Sequence, residues 1–380
     1  MKFLVGILIL VGSLFWNFEA LAAGGPPAVT AKSAIVIEAQ TGKILYALNA
    51  DERRYPASTT KIMTLIVALE RGKADDIVTA SPNAAAAEGS SLWLTPGEQL
   101  KLLDLMYGMM LISGNDAAVA IAEHIAGSVD NFAGLMTAKA HEIGALNTNF
   151  TNTNGLPDPN HYTTAHDLAI ITAYGYKNPL FTKIVSTKNA VIPWPEKTIP
   201  RDLYNENRML WLCNGGNGVK TGYTSLAGRC LVTGANRNGI QLVAVVLDSE
   251  RMWDDSIALL DYGFEQFTPL VLYNKGDILK TARIKNGTSD FVRLEATAKV
   301  TVPNFFDDSD GFTTVIDIPD RLEAPVSAGQ KIGEVKIIYK NREINQVDLV
   351  AAESVDRKSL LGTIWGSVRT VFSYLMRNFA

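Results

Sequence analysis

Along the chain the spacing of hydrophobic positions changes several times, and each change predicts a different element. From Ser33 to Ala47 two extended apolar stretches flank Gln40-Thr41-Gly42, the pattern of a β-hairpin. Helical spacing follows, most clearly at Ile62–Leu69 and Leu102–Ile125. Two further strands, Cys230–Thr233 and Leu242–Leu247, are predicted on either side of a turn at Asn236–Gly239. Strands at both ends of a region, with helices between, predict one antiparallel sheet carrying a helical insertion; the class is α+β rather than βαβ. Past Leu272 the period becomes two. Val292, Leu294, Ala296, Ala298, Val300 and Val302 alternate with polar residues, and Val335, Ile337 and Tyr339 repeat the pattern. This predicts a small all-β domain over residues 272–354, after a larger domain over 24–271.

The ends read differently. Lys2 precedes an apolar run from Phe3 to Trp16, and Ala20-Leu21-Ala22 offers small residues where a signal peptidase cuts, so residues 1–23 are expected to be a removed signal peptide. The run is shorter than the ~20 residues a membrane span needs. Export permits a Cys213–Cys230 disulfide, while Cys230, inside the run Cys230-Leu231-Val232, is equally suited to packing as a thiol. In residues 355–380 apolar side chains from Leu360 to Phe379 recur at three- and four-residue steps, with Lys358, Arg369 and Arg377 off the stripe. Such an amphipathic helix suits a membrane interface; docking on the protein itself or on a second copy is the alternative.

Composition narrows the function. With 47% hydrophobic and 19% charged residues the chain must bury a core. A formal net charge of -4 over 380 residues supplies no basic field for phosphates, which removes nucleic acid as a partner. Two cysteines and four histidines without metal-ligand spacing indicate neither metal nor redox cofactor.

The candidate chemistry begins at Tyr55-Pro56-Ala57-Ser58-Thr59-Thr60-Lys61. Pro56 suits a segment entering a helix, and Ser58 and Lys61, three apart, share one face of its first turn. A serine hydroxyl needs a base to become a nucleophile, and lysine at its usual pKa of about 10.4 is too protonated to act as one. Burial, a neighbouring cation and the positive end of the helix dipole would all lower it. Downstream, Ser113-Gly114-Asn115 ends an apolar helical run and Lys220-Thr221-Gly222 opens a strand. Ser-x-x-Lys, Ser-x-Asn and Lys-Thr-Gly in this order are the signature shared by penicillin-binding proteins and class A β-lactamases.

On these motifs, together with Asn154-Gly155-Leu156, His161-Tyr162-Thr163-Thr164-Ala165 and Val219-Lys220-Thr221-Gly222-Tyr223-Thr224, the chain resembles the low-molecular-weight penicillin-binding proteins that act as serine-type D-alanyl-D-alanine carboxypeptidases. The resemblance implies the penicillin-binding/β-lactamase-like transpeptidase fold, a C-terminal β domain and a terminal helix on the outer face of the cytoplasmic membrane. It implies Ser58 as the acylated nucleophile, Lys61 as its base, Ser113 and Asn115 as proton relay and substrate-amide ligand, and Lys220 as a source of positive field. Thr221, Gly222 and Tyr223 would form the substrate-binding strand, with Thr221 on the terminal carboxylate and the N–H groups of Ser58 and Tyr223 as oxyanion hole. The implied substrate is the peptidoglycan stem peptide, and β-lactams are the implied covalent inhibitors. Gly114 stands where the lactamase motif has Asp, and no Glu occurs between Glu142 and Glu196 to serve class A deacylation, so a carboxypeptidase is expected rather than a lactamase. Endopeptidase or transpeptidase action stays open, and His161 is read as structural.

Overall fold

The computed structural model describes residues 25–308 and 311–358. Its central sheet has five strands in the order Ile44–Leu48, Ser33–Glu38, Ile240–Leu247, Gly228–Arg237, Gly216–Thr224, all antiparallel. The first hairpin is thus zipped to a strand from the far end of the domain, with Ser33 opposite Leu247 and Glu38 opposite Leu242. Everything between these strands forms the helical insertion, as the order of predicted elements required.

Successive residues of the central strands enter different cores. Ile35, Ile37, Val243 and Val245 pack under the helices of the insertion. Ala34, Val36, Ala244 and Val246 pack on the other face with Leu259 and Leu260 of the helix Met252–Phe264. Burial on both faces explains why Ile240–Leu247 is an unbroken apolar run instead of an alternating one. The helix Lys61–Arg71 is buried from Lys61 to Ala68, so its first residue, a lysine, lies in the interior.

The single helical stretch expected over 102–125 is two helices, Leu102–Leu111 and Asn115–Ala126. Ser113 between them has φ +65°, a left-handed conformation that stops the first helix and re-aims the chain. The cysteines are both free thiols. Cys230 is in the core on the insertion side and Cys213 in the core on the opposite face, so the sheet separates them.

After the helix Met252–Phe264, the strand Phe267–Tyr273 pairs with Val300–Phe305, and a six-stranded sheet follows. Val292, Leu294, Val335, Ile337 and Leu349 fill its core. The long alternating run is interrupted: strands Phe291–Ala296 and Val300–Phe305 are separate, and Ala298 in the connection is exposed. The expected signal peptide and most of the expected terminal helix lie outside the described residues. At positions 355–358 the chain is still part of the β domain, where Val355 and Arg357 bridge to Val326 and Gly287. Among the described residues no helix is long and apolar enough to cross a membrane.

Candidate active site

Pro56 leads into a 3₁₀ turn, Ala57–Thr60, which runs directly into the helix Lys61–Arg71. A 3₁₀ turn has three residues per revolution, so residues i and i+3 eclipse, and Ser58 sits directly over Lys61. Ala57 just before the serine has φ +48°, a conformation that costs of order 1–3 kcal/mol and persists where surrounding structure imposes it. Part of that imposition comes from Gly155, whose own φ is +88° and whose hypothetical Cβ would lie 1.8 Å from the Ala57 carbonyl oxygen. Only glycine lets the 150–162 loop press this closely on the turn.

Lys61 Nζ is 3.0 Å from Ser58 Oγ, 2.6 Å from Asn115 Oδ1 and 2.9 Å from the Asn154 carbonyl oxygen. Burial holds its pKa well below the usual lysine value, and the charge of Lys220 pushes it further down, opposed by Glu206 and Asp116. A neutral amine has two N–H donors and one lone pair. Asn115 Oδ1 and the Asn154 carbonyl can only accept, so they take both donors, and the lone pair is left for the Ser58 hydroxyl.

Asn115 is itself fixed, because its Nδ2 donates to the Glu88 carbonyl. Ser113 is buried and, with Ser58, Thr221, Gly222 and Tyr223, lines a cleft of about 410 Å³. Lys220 is buried on the strand Gly216–Thr224, with Nζ 3.5 Å from Thr221 Oγ1 and 4.0 Å from Glu206 Oε2. Burial lowers its pKa to about 8, against the pull of Glu206. A Cβ on Gly222 would lie 2.9 Å from Ser58 N; its absence lets the strand lie against the nucleophile's turn. Tyr223 is exposed at the mouth of the cleft. The structure therefore gathers Ser58, Lys61, Ser113, Asn115, Lys220, Thr221, Gly222 and Tyr223 in one place.

Four residues of this cleft carried no sequence signal: Ser90, Glu206, Arg229 and Met252. Each stands alone in its own segment, and only the folded chain brings them beside the motifs. Glu206 Oε2 accepts from Thr221 Oγ1 at 3.3 Å. Asp116 directly follows the Ser113-Gly114-Asn115 motif, and its role is set only by the fold. Its carboxylate accepts from Ser91 Oγ, Leu92 N and Leu94 N, which pins the 89–94 loop beside Asn115.

His161 is buried and structural. Its Nδ1 accepts from Thr151 N at 3.0 Å, so the proton is on Nε2, which donates to Thr60 Oγ1 at 2.8 Å. Burial lowers its pKa to about 4, below the unfolded value of about 6.5. The neutral ring thus contributes stability that is present above pH 6.5 and lost as pH falls through 4, roughly 3 kcal/mol in all. Thermal melts across this range should show the loss in the wild type and a shallower one in His161→Gln; equal slopes would remove His161 from the acid transition.

A family model described as D-alanyl-D-alanine carboxypeptidase matches residues 20–251. The chain belongs to that family. It is a serine-type hydrolase with the penicillin-binding protein fold, and its residues 267–357 match the penicillin-binding protein 5 C-terminal domain. It is 34% identical to the D-alanyl-D-alanine carboxypeptidase DacF of Bacillus subtilis, over 87% of this chain and 86% of that one. Among solved structures, penicillin binding protein 5 from Haemophilus influenzae superposes with a TM-score of 0.60 at 31% identity, covering 87% of this chain and 99% of that one. The carboxypeptidase DacD from Francisella tularensis gives a TM-score of 0.61 at 28% identity, with coverage of 87% and 95%. For this carboxypeptidase family member, the 3₁₀ turn, the left-handed Ser113 and the Lys-Thr-Gly strand are the parts that build the site.

Proposed function

We propose that Ser58 attacks the carbonyl of the penultimate D-alanine of a peptidoglycan stem pentapeptide, releasing the terminal D-alanine and leaving an acyl-enzyme that water hydrolyses. The observation that carries this reading is the double carbonyl clamp on Lys61 Nζ, which leaves its lone pair for Ser58 Oγ. The base then removes the hydroxyl proton as the bond forms, and Ser113 passes it toward the leaving nitrogen. The N–H groups of Ser58 and Tyr223 receive the oxyanion, each donor worth roughly 3 kcal/mol. Lys220 and Thr221 hold the substrate's terminal carboxylate, and Arg229 adds a second cation to the cleft. β-Lactams acylate the same oxygen. We further assign residues 1–23 to an export signal, 24–271 to the catalytic domain and 272–358 to the β domain, whose end lies past the position 354 expected from the sequence because Val355 and Arg357 still pair within it. The amphipathic segment that follows is assigned to peripheral anchoring on the outer face of the cytoplasmic membrane. Mass spectrometry of a defined pentapeptide incubated with the protein should show loss of one alanine; an unchanged peptide would sink the assignment.

The two lysines have opposite requirements. Lys61 must be neutral and Lys220 charged, so kcat/KM should rise with pH as Lys61 loses its proton and fall as Lys220 loses its own near pH 8. A profile that stays level through this pH would take the Lys220 charge out of the mechanism.

A further inference from the structure

Lys220 is a buried ammonium whose partners stand far off. Its side chain is 1% exposed, yet its contacts are Thr221 Oγ1 at 3.5 Å and Glu206 Oε2 at 4.0 Å. A charged amine has three donors, and charge-assisted bonds ordinarily run at about 2.7–2.9 Å. Among the described residues Glu206 supplies the one carboxylate paired with it. The same oxygen, Oε2, accepts from Thr221 Oγ1 at 3.3 Å. A single side-chain oxygen therefore lies on both groups to which the function proposed above assigns the substrate's terminal carboxylate, and the inference drawn here rests on that reading.

The chain around Glu206 aims this carboxylate and leaves it movable. Asn205 and Asn207 on either side are buried. Asn205 Nδ2 donates to the Thr187 carbonyl, its Oδ1 accepts from Asn207 N, and Asn207 Oδ1 accepts from Met209 N. The Glu206 N–H donates to the carbonyl of Leu111, two residues before Ser113, at 3.0 Å. The backbone is thus fastened to the segment that carries the second motif. The side chain, by contrast, is 48% exposed and lines the cleft. Its long contacts and open surroundings make it a partner that a better-placed anion can displace. An incoming carboxylate cannot simply join it, since two like charges on one lysine repel each other.

We propose that Glu206 is the resident counter-ion of the carboxylate receptor: it covers Lys220 and Thr221 in the free enzyme, the substrate's terminal carboxylate enters by displacing it, and it returns as the freed alanine leaves. Glu206 is a positioning residue, acting through Lys220 and Thr221 and not on the reacting atoms. It keeps the buried ammonium paired while the cleft is empty, and by the same contact it weakens the hold of the site on every carboxylate ligand.

The test reads binding without turnover. The full chain carrying Ser58→Ala is compared with the full chain carrying Ser58→Ala and Glu206→Gln. Each is titrated calorimetrically with a pentapeptide ending in D-alanyl-D-alanine and with the same peptide closed as its C-terminal carboxamide. The titrations are run at about pH 6, below the pKa of about 8 at which Lys220 loses its charge. Glutamine keeps the shape and can still accept from Thr221, but it lacks the charge. The expected result is a Kd for the free acid about fivefold lower in Glu206→Gln, the effect of removing an exposed competing ion pair. The Kd of the carboxamide should change by less than about twofold, which also shows that the variant folds. A free-acid affinity that is unchanged or weaker overturns the displaced counter-ion while leaving the carboxypeptidase reading intact. Equal tightening of both peptides overturns it as well, because the effect would then be one of cleft shape and not of charge. Binding of neither peptide to either protein overturns both readings together.

Discussion

Ser58→Ala is expected to abolish pentapeptide trimming, lowering kcat by 10⁴-fold or more, on the order seen when a covalent nucleophile is removed from a serine hydrolase. The size follows from how the site is built. Asn115 Oδ1 and the Asn154 carbonyl hold Lys61 Nζ, and Lys61 Nζ is aimed at the Ser58 hydroxyl, so nothing else in the cleft inherits the role when that oxygen is gone. Ser113 lines the cleft too, but the hydroxyl that Lys61 Nζ contacts is that of Ser58. The fold should survive, because Ser58 contributes one small side chain at the edge of a cavity. The check is labelled penicillin followed by peptide mapping. Wild-type protein should carry the label on the peptide containing Ser58, and the variant should carry none. A label that persists in Ser58→Ala, with an undiminished rate on peptide, would assign the nucleophile elsewhere.

Glu98→Gln should have the largest effect on stability. The Arg201 guanidinium and the Glu98 carboxylate are both essentially inaccessible to water, with side-chain exposures of 2% and 0%. They meet through two bonds of 2.7 and 3.0 Å. Replacing such a pair by apolar residues can be neutral, but removing one charge strands the other, at a cost of about 3–5 kcal/mol. In a domain of this size that lowers Tm by roughly 10 °C. The same variant should loosen the 92–95 segment, because Thr95 N also donates to Glu98. Differential scanning calorimetry measures the first effect. A Tm within about 2 °C of wild type would mean that water reaches the guanidinium.

Much of the site was legible because its chemistry depends on short-range order. The three-residue step from Ser58 to Lys61 is one turn of any helix, and Lys220-Thr221-Gly222 announces a strand; that its glycine lets the Ser58 turn lie against it came only with the structure. The alternation in the β domain was legible for the same reason. Other features were not. The break at Ser113 was only half legible: the Ser113-Gly114-Asn115 motif closes an apolar run, but hydrophobic spacing alone carried a continuous helix over 102–125, in which a left-handed serine leaves no trace. The separation of Cys213 and Cys230 depends on which face of a sheet each meets, and their spacing along the chain is silent about it.

By itself the sequence determined the order of strands and helices, the burial-ready faces and the residues able to react, since these follow from local periodicity and side-chain type. Tertiary structure alone decided the protonation state of Lys61, which depends on burial and on two carbonyl oxygens from distant segments. It alone brought Ser90, Glu206, Arg229 and Met252 into the cleft as well, from segments far apart in the chain. Local pattern fixes which groups are present; desolvation and convergence, which arise only when remote segments close on one another, set what those groups do.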